Sequence, residues 1–351
     1  MPPDRIELSV VLPIHNEERL LAELYERLSK VLDGMGLEYE VILVNDGSRD
    51  RSWDGILELC RADARVRGVD LSRNFGHQVA ITAGIHLSRG EAVVVMDSDL
   101  QDPPELIPEL YARYREGYDV AYAQRRARAG ETWFKKTTAN FFYRLLTRLT
   151  NLPIPLDTGD FRLMSRRVVE GLRAMGEHSR FVRGMVTWIG FRQIAVPYDR
   201  QPRGAGETKF SIFRMVRFAL DGITGFSHRP LQIASHFGIL CALASLAFMG
   251  FFVLYWLAGG TGLVPGWTSL IVVSLFLGGV QLIAIGILGE YVGRVYEEVK
   301  RRPLYLLSDQ VNFDERSQPP SRLLGSERVP GRSATPLPPA APRIGSSPPL
   351  N

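Results

Sequence analysis

The chain has 351 residues, a net charge of +4, 45% hydrophobic residues and 23% charged ones, enough for one large domain and something smaller. So slight a positive balance gives no reason to expect nucleic acid as a partner, and it suits a surface that meets anionic lipids or phosphates. The two cysteines, Cys60 and Cys241, come without a CxxC pair or a Cys/His cluster, so there is neither a disulfide framework nor a zinc signature.

The N-terminus, MPPDRIELSVVLP, lacks the long apolar core of a signal peptide, so the first domain is expected in the cytosol. Ile6–Ile14 is an apolar run of strand length. Glu17–Leu32 places Leu20, Leu21, Leu24, Leu28, Val31 and Leu32 on one helical face. Glu40–Asn45 predicts a second buried strand, ending in the turn signal Asp46-Gly47-Ser48. Helix Arg51–Ala64, strand Val66–Leu71, helix Gly76–Ser88 and strand Ala92–Met96 follow. Pro103 and Pro104 open a helix through Arg115, and Asp119–Gln124 is a fifth strand.

Apolar strands alternating with amphipathic helices predict an α/β fold, with a mostly parallel sheet covered on both faces. Ligands bind such sheets beyond the carboxyl ends of the strands. There the sequence sets Asn16-Glu17, Asn45-Asp46, Arg73-Asn74, Asp97–Asp99 and Arg125-Arg126, five strand ends that form one polar rim.

Beyond the fifth strand, a helix is expected from Glu131 to about Thr150, then LDTGDFRLMS, two short helices and a strand Phe191–Tyr198. Phe210–Phe226 carries Arg214 and Arg217 on a helical period. It reads as an amphipathic helix in the membrane interface, or equally as a helix packed on the soluble domain until its context is considered. The context is a stretch from Pro230 to Gly289 without Asp, Glu, Lys or Arg. At roughly 20 residues per crossing it accommodates two spans, expected at Leu231–Leu257 and Trp267–Val292. Arg214, Arg217 and Arg229 precede them, and Arg294, Lys300, Arg301 and Arg302 follow, so the positive-inside rule sets both outer ends in the cytosol. Trp256 and Trp267 fall near the outer interface. From about Asn312 the chain is rich in Pro, Ser and Gly and is expected to be disordered. The expected organisation is a catalytic domain over residues 1–209, an interface region over 210–230, two spans over 231–293, a cytosolic segment over 294–311 and the tail over 312–351.

Asp97 and Asp99, one residue apart after VVVM, are able to share a divalent cation with a diphosphate, since Mg²⁺ and Mn²⁺ prefer oxygen ligands. The small Ser98 lets the chain turn, and Gln101 adds an amide oxygen. Asp46 is suited to accept the imide N–H of a uracil, and Glu17 to reach a base or ribose. The plainer readings are a turn-stabilising Asp and a helix-start Glu; the neighbouring DxD favours nucleotide binding. Arg125, Arg126, Arg203 and Lys209 are candidates for phosphate. RGAGETK, between Arg203 and Lys209, is a loop able to close over a diphosphate, or a solvated linker. Asp157, Asp160 and Arg162 in LDTGDFR are candidates to align an acceptor or act as a base; positioning is favoured, because an acceptor phosphate is already largely dianionic at neutral pH. His77, His86 and His236 read as packing or surface residues.

Together, VVLPIHNEE, VNDGSRD, SRNFGHQVAITAGI, VVVMDSDLQDPPELIPEL, LDTGDFRLMSRRVV, RFVRGMVTWIGFRQ and RGAGETKFS resemble glycosyltransferase family 2. Within it they resemble the polyprenyl-phosphate glycosyltransferases, of the bactoprenol glucosyltransferase and dolichol-phosphate mannosyltransferase kind. The resemblance spans about residues 6–300. It implies a GT-A fold, Mg²⁺ or Mn²⁺, and inversion at the anomeric carbon. It implies a metal motif of Asp97, Asp99 and Gln101, and a nucleotide-sugar pocket drawing on Pro13, Ile14, Asn16, Glu17, Asp46, Asn74, Gln78, Asp97 and Ser98. Arg125, Arg203 and Lys209 fall at basic, phosphate-contacting positions; beside these, Arg126 is a phosphate candidate from the residues themselves, and Asp97, Asp99, Asp157, Asp160 and Arg162 are catalytic candidates. His15 stands where Tyr is common and Ser98 where Ala is common. The QxxRW pattern of processive synthases is absent, which argues for one sugar per turnover. The implied partners are a polyprenyl phosphate, the membrane and a nucleotide-sugar. UDP-glucose is favoured, with GDP-mannose and other UDP-sugars open. A homo-oligomer is compatible with all of this.

Overall fold

The structure, a computed structural model, describes residues 5–126, 158–199, 229–258 and 266–313. The expected helix from Glu131, Asp157, the Arg203–Lys209 loop, the Phe210–Phe226 helix and the tail beyond Phe313 lie outside these residues.

The described elements follow in chain order as β1 (Leu8–Ile14), α1 (Leu21–Met35), β2 (Tyr39–Asn45), α2 (Ser52–Ala62), β3 (Val66–Leu71), α3 (His77–Leu87), β4 (Ala92–Val95), α4 (Ile107–Arg115) and β5 (Val120–Arg125). Then come β6 (Thr158–Ser165), α5 (Arg166–Ala174), α6 (Val182–Ile189), β7 (Gln193–Tyr198), α7 (Arg229–Leu257), α8 (Trp267–Lys300) and β8 (Leu307–Val311). The strands form one sheet in the order β7-β5-β6-β4-β1-β2-β3-β8. Only β6 and β8 run against the others.

Every residue of β1 and β2 is buried, because helices cover both faces. Alternate side chains divide between two layers. Val10, Leu12, Val41, Leu43 and Val94 pack under α1, α2 and α4. Val11, Ile42, Val44, Val93 and Val95 pack under α3, α5 and α6. Helix α1 docks through Leu21, Leu24, Leu28 and Leu32, the periodic stripe that the sequence displays, and each such leucine contributes about 1.5–3 kcal/mol by leaving water. The helix starts later than its periodicity suggests. Asn16 takes a positive φ of 59°, and the amides of Glu17 and Glu18 donate instead to Ser52 Oγ (2.9 Å) and Asp50 Oδ2 (3.2 Å). This ties the first turn to the start of α2.

Strand β6 is what the sequence reading does not set in order. It inserts between β4 and β5, antiparallel to both, and pairs Val95 with Arg162. Continued by two residues, that register brings Asp160, at the start of β6, opposite Asp97, just past the end of β4.

Helices α7 and α8 are long and apolar enough to cross a bilayer. Leu240, Phe248, Leu254, Leu275 and Leu282 are all exposed. A helix that is apolar all round is stable only where something other than water covers it. Helix α8 runs past the expected end at Val292 to Lys300, with Arg294–Glu290 (3.0 Å) and Lys300–Glu297 (2.8 Å) pairs on its polar end. Glu298 Oε1 accepts from the backbone N–H of His178 (2.7 Å), so that end reaches the catalytic domain.

The chain after α8 rejoins the sheet. Tyr305 is fully buried among the residues of α3, α5 and α6. Ser72 N–H donates to the Leu306 carbonyl (2.9 Å), and β8 adds an antiparallel edge to β3. The Asn312 amide donates to the carbonyls of Cys60 (2.8 Å) and Val66 (2.7 Å). Residues 304–313 therefore complete the domain, where the sequence alone suggests a plain juxtamembrane segment to 311 and a disordered tail from Asn312, which is instead tied to the sheet by its amide.

Candidate active site

The carboxyl ends of β1–β5 and β7 and the amino end of β6 share one edge, where the polar rim assembles. At β1, Pro13 and Ile14 are buried in the strand. His15 Nδ1 lies 2.9 Å from the Asp46 carbonyl and so carries the proton. Its Nε2 is left to accept from the Asn16 amide (3.0 Å), with the Asn74 amide at 3.4 Å. Asn16 Oδ1 accepts from Arg49 N–H (2.8 Å).

At β2, Asp46 is buried. Its Oδ1 accepts from Phe75 N–H (2.7 Å) and its Oδ2 from Gly76 N–H (3.0 Å). The carboxylate thus fixes the loop from β3 into α3. Gly47, at φ 58°, lies so close to that loop that a Cβ would overlap the backbone of Arg73 and Asn74. Glu17 is half-buried; its burial, followed by the charges of Asp99 and Asp50, raises its pKa above the ordinary value. Acidic side chains of β1 and β4 thus converge.

The DxD follows β4. Ser98 and Gln101 are buried, Asp99 Oδ1 accepts from Gln101 N–H (3.1 Å), and Leu100 takes a positive φ of 56° that turns the loop. Opposite stands Asp160, with a side chain only 4% exposed. Its Oδ1 accepts from Arg183 Nε (2.8 Å) and its Oδ2 from Gln78 Nε2 (2.9 Å). Gln78 Oε1 in turn accepts from Val182 N–H (3.0 Å), which joins α3 to α6. His77 Nε2 lies between the two acids, 3.3 Å from Asp97 Oδ1 and 3.2 Å from Asp160 Oδ2.

Burial works against charge on His77, but its bonds to Asp160 and Asp97 prevail and push it up to about 10. Burial likewise works against ionising Asp160, yet His77, Arg183 and Arg162 hold it well below the usual carboxylate range. A carboxylate held so low is a poor base. Arg162, expected to be catalytic, is fully buried, and donates to the carbonyls of Gly159 (2.9 Å) and Asp160 (3.4 Å). It braces the β6 start from within the fold.

At β5, Arg125 and Arg126 stand on the rim. Arg126 is exposed and pairs with Asp199 (3.2 Å). Arg125 Nε donates to Tyr198 OH (3.3 Å), whose proton goes to Asp102 Oδ1 (2.7 Å). Burial, then the charge of Asp97, pushes Asp102 up to about 6.

His77, Arg183, Asp102 and Tyr198 are the residues that sequence reasoning missed. His77, Arg183 and Asp102 lie inside quoted motifs and Tyr198 ends a predicted strand, but nothing local marks them until β6 is seated.

Does this cluster fit a divalent cation? His77, Asp97 and Asp160 each offer a ligand atom within 4.8 Å of the others, and buried Asp97 Oδ1 has only the 3.3 Å approach of His77 Nε2, outside good hydrogen-bond geometry. A buried carboxylate oxygen so weakly satisfied beside a second acid is the environment a cation stabilises. The fit therefore centres on Asp97. Asp160 is a poorer ligand, since Arg183 and Gln78 already occupy it. Asp99 and Gln101 are not in the three-residue group.

A family model described as glycosyl transferase family 2 matches residues 9–173. A Bacillus subtilis protein named uncharacterized glycosyltransferase YkcC is 49% identical over 311 residues, covering 89% of this chain and 96% of its own. A prophage bactoprenol glucosyl transferase homolog from Escherichia coli is 38% identical over 302 residues, covering 86% and 98%. A solved structure of glucosyl-3-phosphoglycerate synthase from Mycobacterium tuberculosis is 19% identical with a TM-score of 0.42, over 62% of this chain and 78% of that one.

Proposed function

Since the chain belongs to glycosyltransferase family 2 and is a glycosyltransferase with a GT-A domain, we propose that it transfers a single hexose, glucose from UDP-glucose, onto a polyprenyl phosphate such as undecaprenyl phosphate. The observation that carries this reading is a joint one. An acidic strand-edge site belongs to the same body as two exposed apolar helices, and similarity to a bactoprenol glucosyl transferase homolog runs through nearly all of that relative.

The reaction is a single in-line displacement. An oxygen of the lipid phosphate attacks the anomeric carbon, the bond to the nucleoside diphosphate breaks, and the configuration inverts. The acceptor has a second pKa near 6, so at neutral pH it is largely dianionic and needs no base. That matches a site in which buried Asp160 is held strongly ionised by His77 and Arg183. Asp97 and Asp99, with Gln101 and His77 nearby, would hold Mg²⁺ or Mn²⁺. The cation would neutralise charge on the leaving diphosphate. Arg125 and Arg126, and from the chain outside the described residues Arg203 and Lys209, are assigned to phosphate groups; Asp157 is assigned to the acceptor side. Asp46 holds the 75–76 loop and keeps lone pairs for a base N–H, while Pro13, Ile14, Asn16, Glu17, Asn74 and Ser98 frame the nucleotide. Gln78 steadies Asp160.

Helices α7 and α8 are read as two spans of the plasma or inner membrane, with the catalytic domain in the cytoplasm. Support comes from β8, which returns to the sheet after α8. A chain that leaves a domain and rejoins it must cross a bilayer an even number of times. Anchoring the site at headgroup depth turns an encounter of two substrates into a positioned reaction.

The test is to incubate membranes containing the protein with a panel of labelled nucleotide-sugars and identify the lipid product by mass. A hexosyl phosphoryl polyprenol made from UDP-glucose is expected. Label from GDP-mannose or another UDP-sugar in that lipid would correct the donor; label in a glycolipid or protein would overturn the acceptor.

A further inference from the structure

Arg125 and Tyr198 are side-by-side partners at the ends of the parallel strands β5 and β7. The Tyr198 ring is buried and meets Phe161 edge-on, with centroids 6.5 Å apart and planes at 84°. Its hydroxyl has one proton, and Asp102 Oδ1, 2.7 Å away, takes it. A lone pair then faces Arg125 Nε at 3.3 Å. The order of donors is fixed, because Arg Nε–H only donates and a carboxylate only accepts. Burial, then the Asp102 charge, pushes the Tyr198 hydroxyl up to about 12, so the donor keeps its proton.

Asp102 is only 1% exposed, and its other oxygen, Oδ2, has no hydrogen-bond partner. That oxygen and Arg125 Nη2 both approach Gly159. A Cβ there would lie 3.3 Å from Nη2 and 3.9 Å from Oδ2. The missing side chain at 159 leaves room for the guanidinium. Asp102 belongs to the loop that carries Asp97 and Asp99, so the chain Asp102–Tyr198–Arg125 ties the acidic side of the rim to its basic side.

We infer that Tyr198 is a positioning residue: braced by Asp102, its hydroxyl aims the Arg125 guanidinium at the diphosphate that departs in the reaction. The inference rests on reading Arg125 as a diphosphate contact, as proposed above. A phenylalanine at 198 would keep the packing against Phe161 while leaving Arg125 Nε and Asp102 Oδ1 both without their shared partner. The guanidinium would then sample other directions. An aimed charge stabilises a departing diphosphate more than a wandering one, and the difference falls on the step in which charge develops.

The test is a double-mutant cycle on the full-length protein in membranes, following turnover of whichever nucleotide-sugar the parent consumes. Tyr198→Phe is expected to lower kcat about tenfold, the size of one charge-assisted hydrogen bond, with KM for the nucleotide-sugar within about twofold. Arg125→Ala should cost about 100-fold, and the double variant no more than Arg125→Ala alone. Gly159→Ala, which crowds Nη2 without touching Tyr198, should reproduce the kcat loss and serves if Tyr198→Phe folds poorly. Losses that multiply in the double variant would show that Tyr198 acts independently of Arg125 and would overturn the inference. A rise in KM equal to the fall in kcat/KM would overturn it too. An Arg125→Ala enzyme as fast as the parent would end both the inference and the role given to Arg125. A different acceptor lipid would leave the cycle readable and correct only the functional reading.

Discussion

The two ends of the central sheet each bury a carboxylate among arginines, and only one of them is a site. At the amino end, Glu40 is 1% exposed. It accepts from Ser9 Oγ (2.6 Å), Arg89 N–H (2.7 Å) and Arg89 Nε (3.2 Å), with Arg67 Nη1 at 3.2 Å. Ser9 Oγ in turn accepts from Gly90 N–H (2.8 Å), and the Arg67 guanidinium stacks over Phe313 (4.6 Å). Both oxygens of Glu40 are engaged by the fold. At the carboxyl end Asp160 is about as buried, but its neighbours reach outward. The His77 side chain is 46% exposed and that of Asp97 28%, Asp97 Oδ1 has only the 3.3 Å approach of His77, and Asp102 Oδ2 has no hydrogen-bond partner. Buried charge alone therefore does not mark a site. Charge that the fold leaves incomplete, at an open edge, does.

Substitutions at the two ends should separate cleanly. Asp97→Asn removes the charge without changing shape. Turnover should fall by roughly 100-fold or more while the melting temperature moves little, as expected if that charge serves mainly to hold a cation against the bound diphosphate and His77 keeps its bond to Asp160. Turnover within a few-fold of the parent would place the chemistry elsewhere. Glu40→Gln should do the reverse. Leaving Arg67 buried without its counter-ion should cost about 3 kcal/mol of stability, read as a lower denaturation midpoint, with kcat per folded enzyme unchanged. A smaller effect is expected between the two ends, at His86 beneath Tyr305 (3.3 Å between Nδ1 and the hydroxyl). Burial, then the charges of Arg180 and Arg173, lowers this imidazole to about 3 from 6.5. Between those values the unfolded chain binds a proton that the folded one refuses, so stability falls as pH drops below 6.5. At pH 5 the loss is roughly 2 kcal/mol. His86→Asn should flatten the melting temperature between pH 7 and 5; an unchanged slope would assign the acid sensitivity to other groups.

The same contrast explains what the sequence made legible. Strands β1 to β4 and helices α1 to α4 follow from runs such as EVILVN and from leucine spacing, because burial on a sheet imposes a local period. The acids at Asp46, Asp97 and Asp99 could be read for the same reason: a strand end tells where a polar residue must point. His77 could not. Its role exists only because β6 runs backwards beside β4 and carries Asp160 to Asp97, and a pairing between distant segments leaves no trace in either one. Arg183 is likewise ordinary in RFVRGMVTW until α6 lies beside β6. Arg162 shares a face of β6 with Asp160, two residues before it, and its turn back onto the carbonyls of Gly159 and Asp160 is a bond that no strand period foretells. Strand β8 and Tyr305 follow a helix that reads as the chain's departure from the domain, so their return was invisible to any local rule.

The most direct measurement is cation-dependent transfer by the intact protein. With undecaprenyl phosphate and labelled UDP-glucose, label should enter a lipid of hexosyl phosphoryl undecaprenol mass when Mg²⁺ or Mn²⁺ is present, stop on chelation and resume when the cation is restored. Equal lipid labelling with and without chelator would contradict the account, as would uptake of label by an acceptor that contains no polyprenyl phosphate.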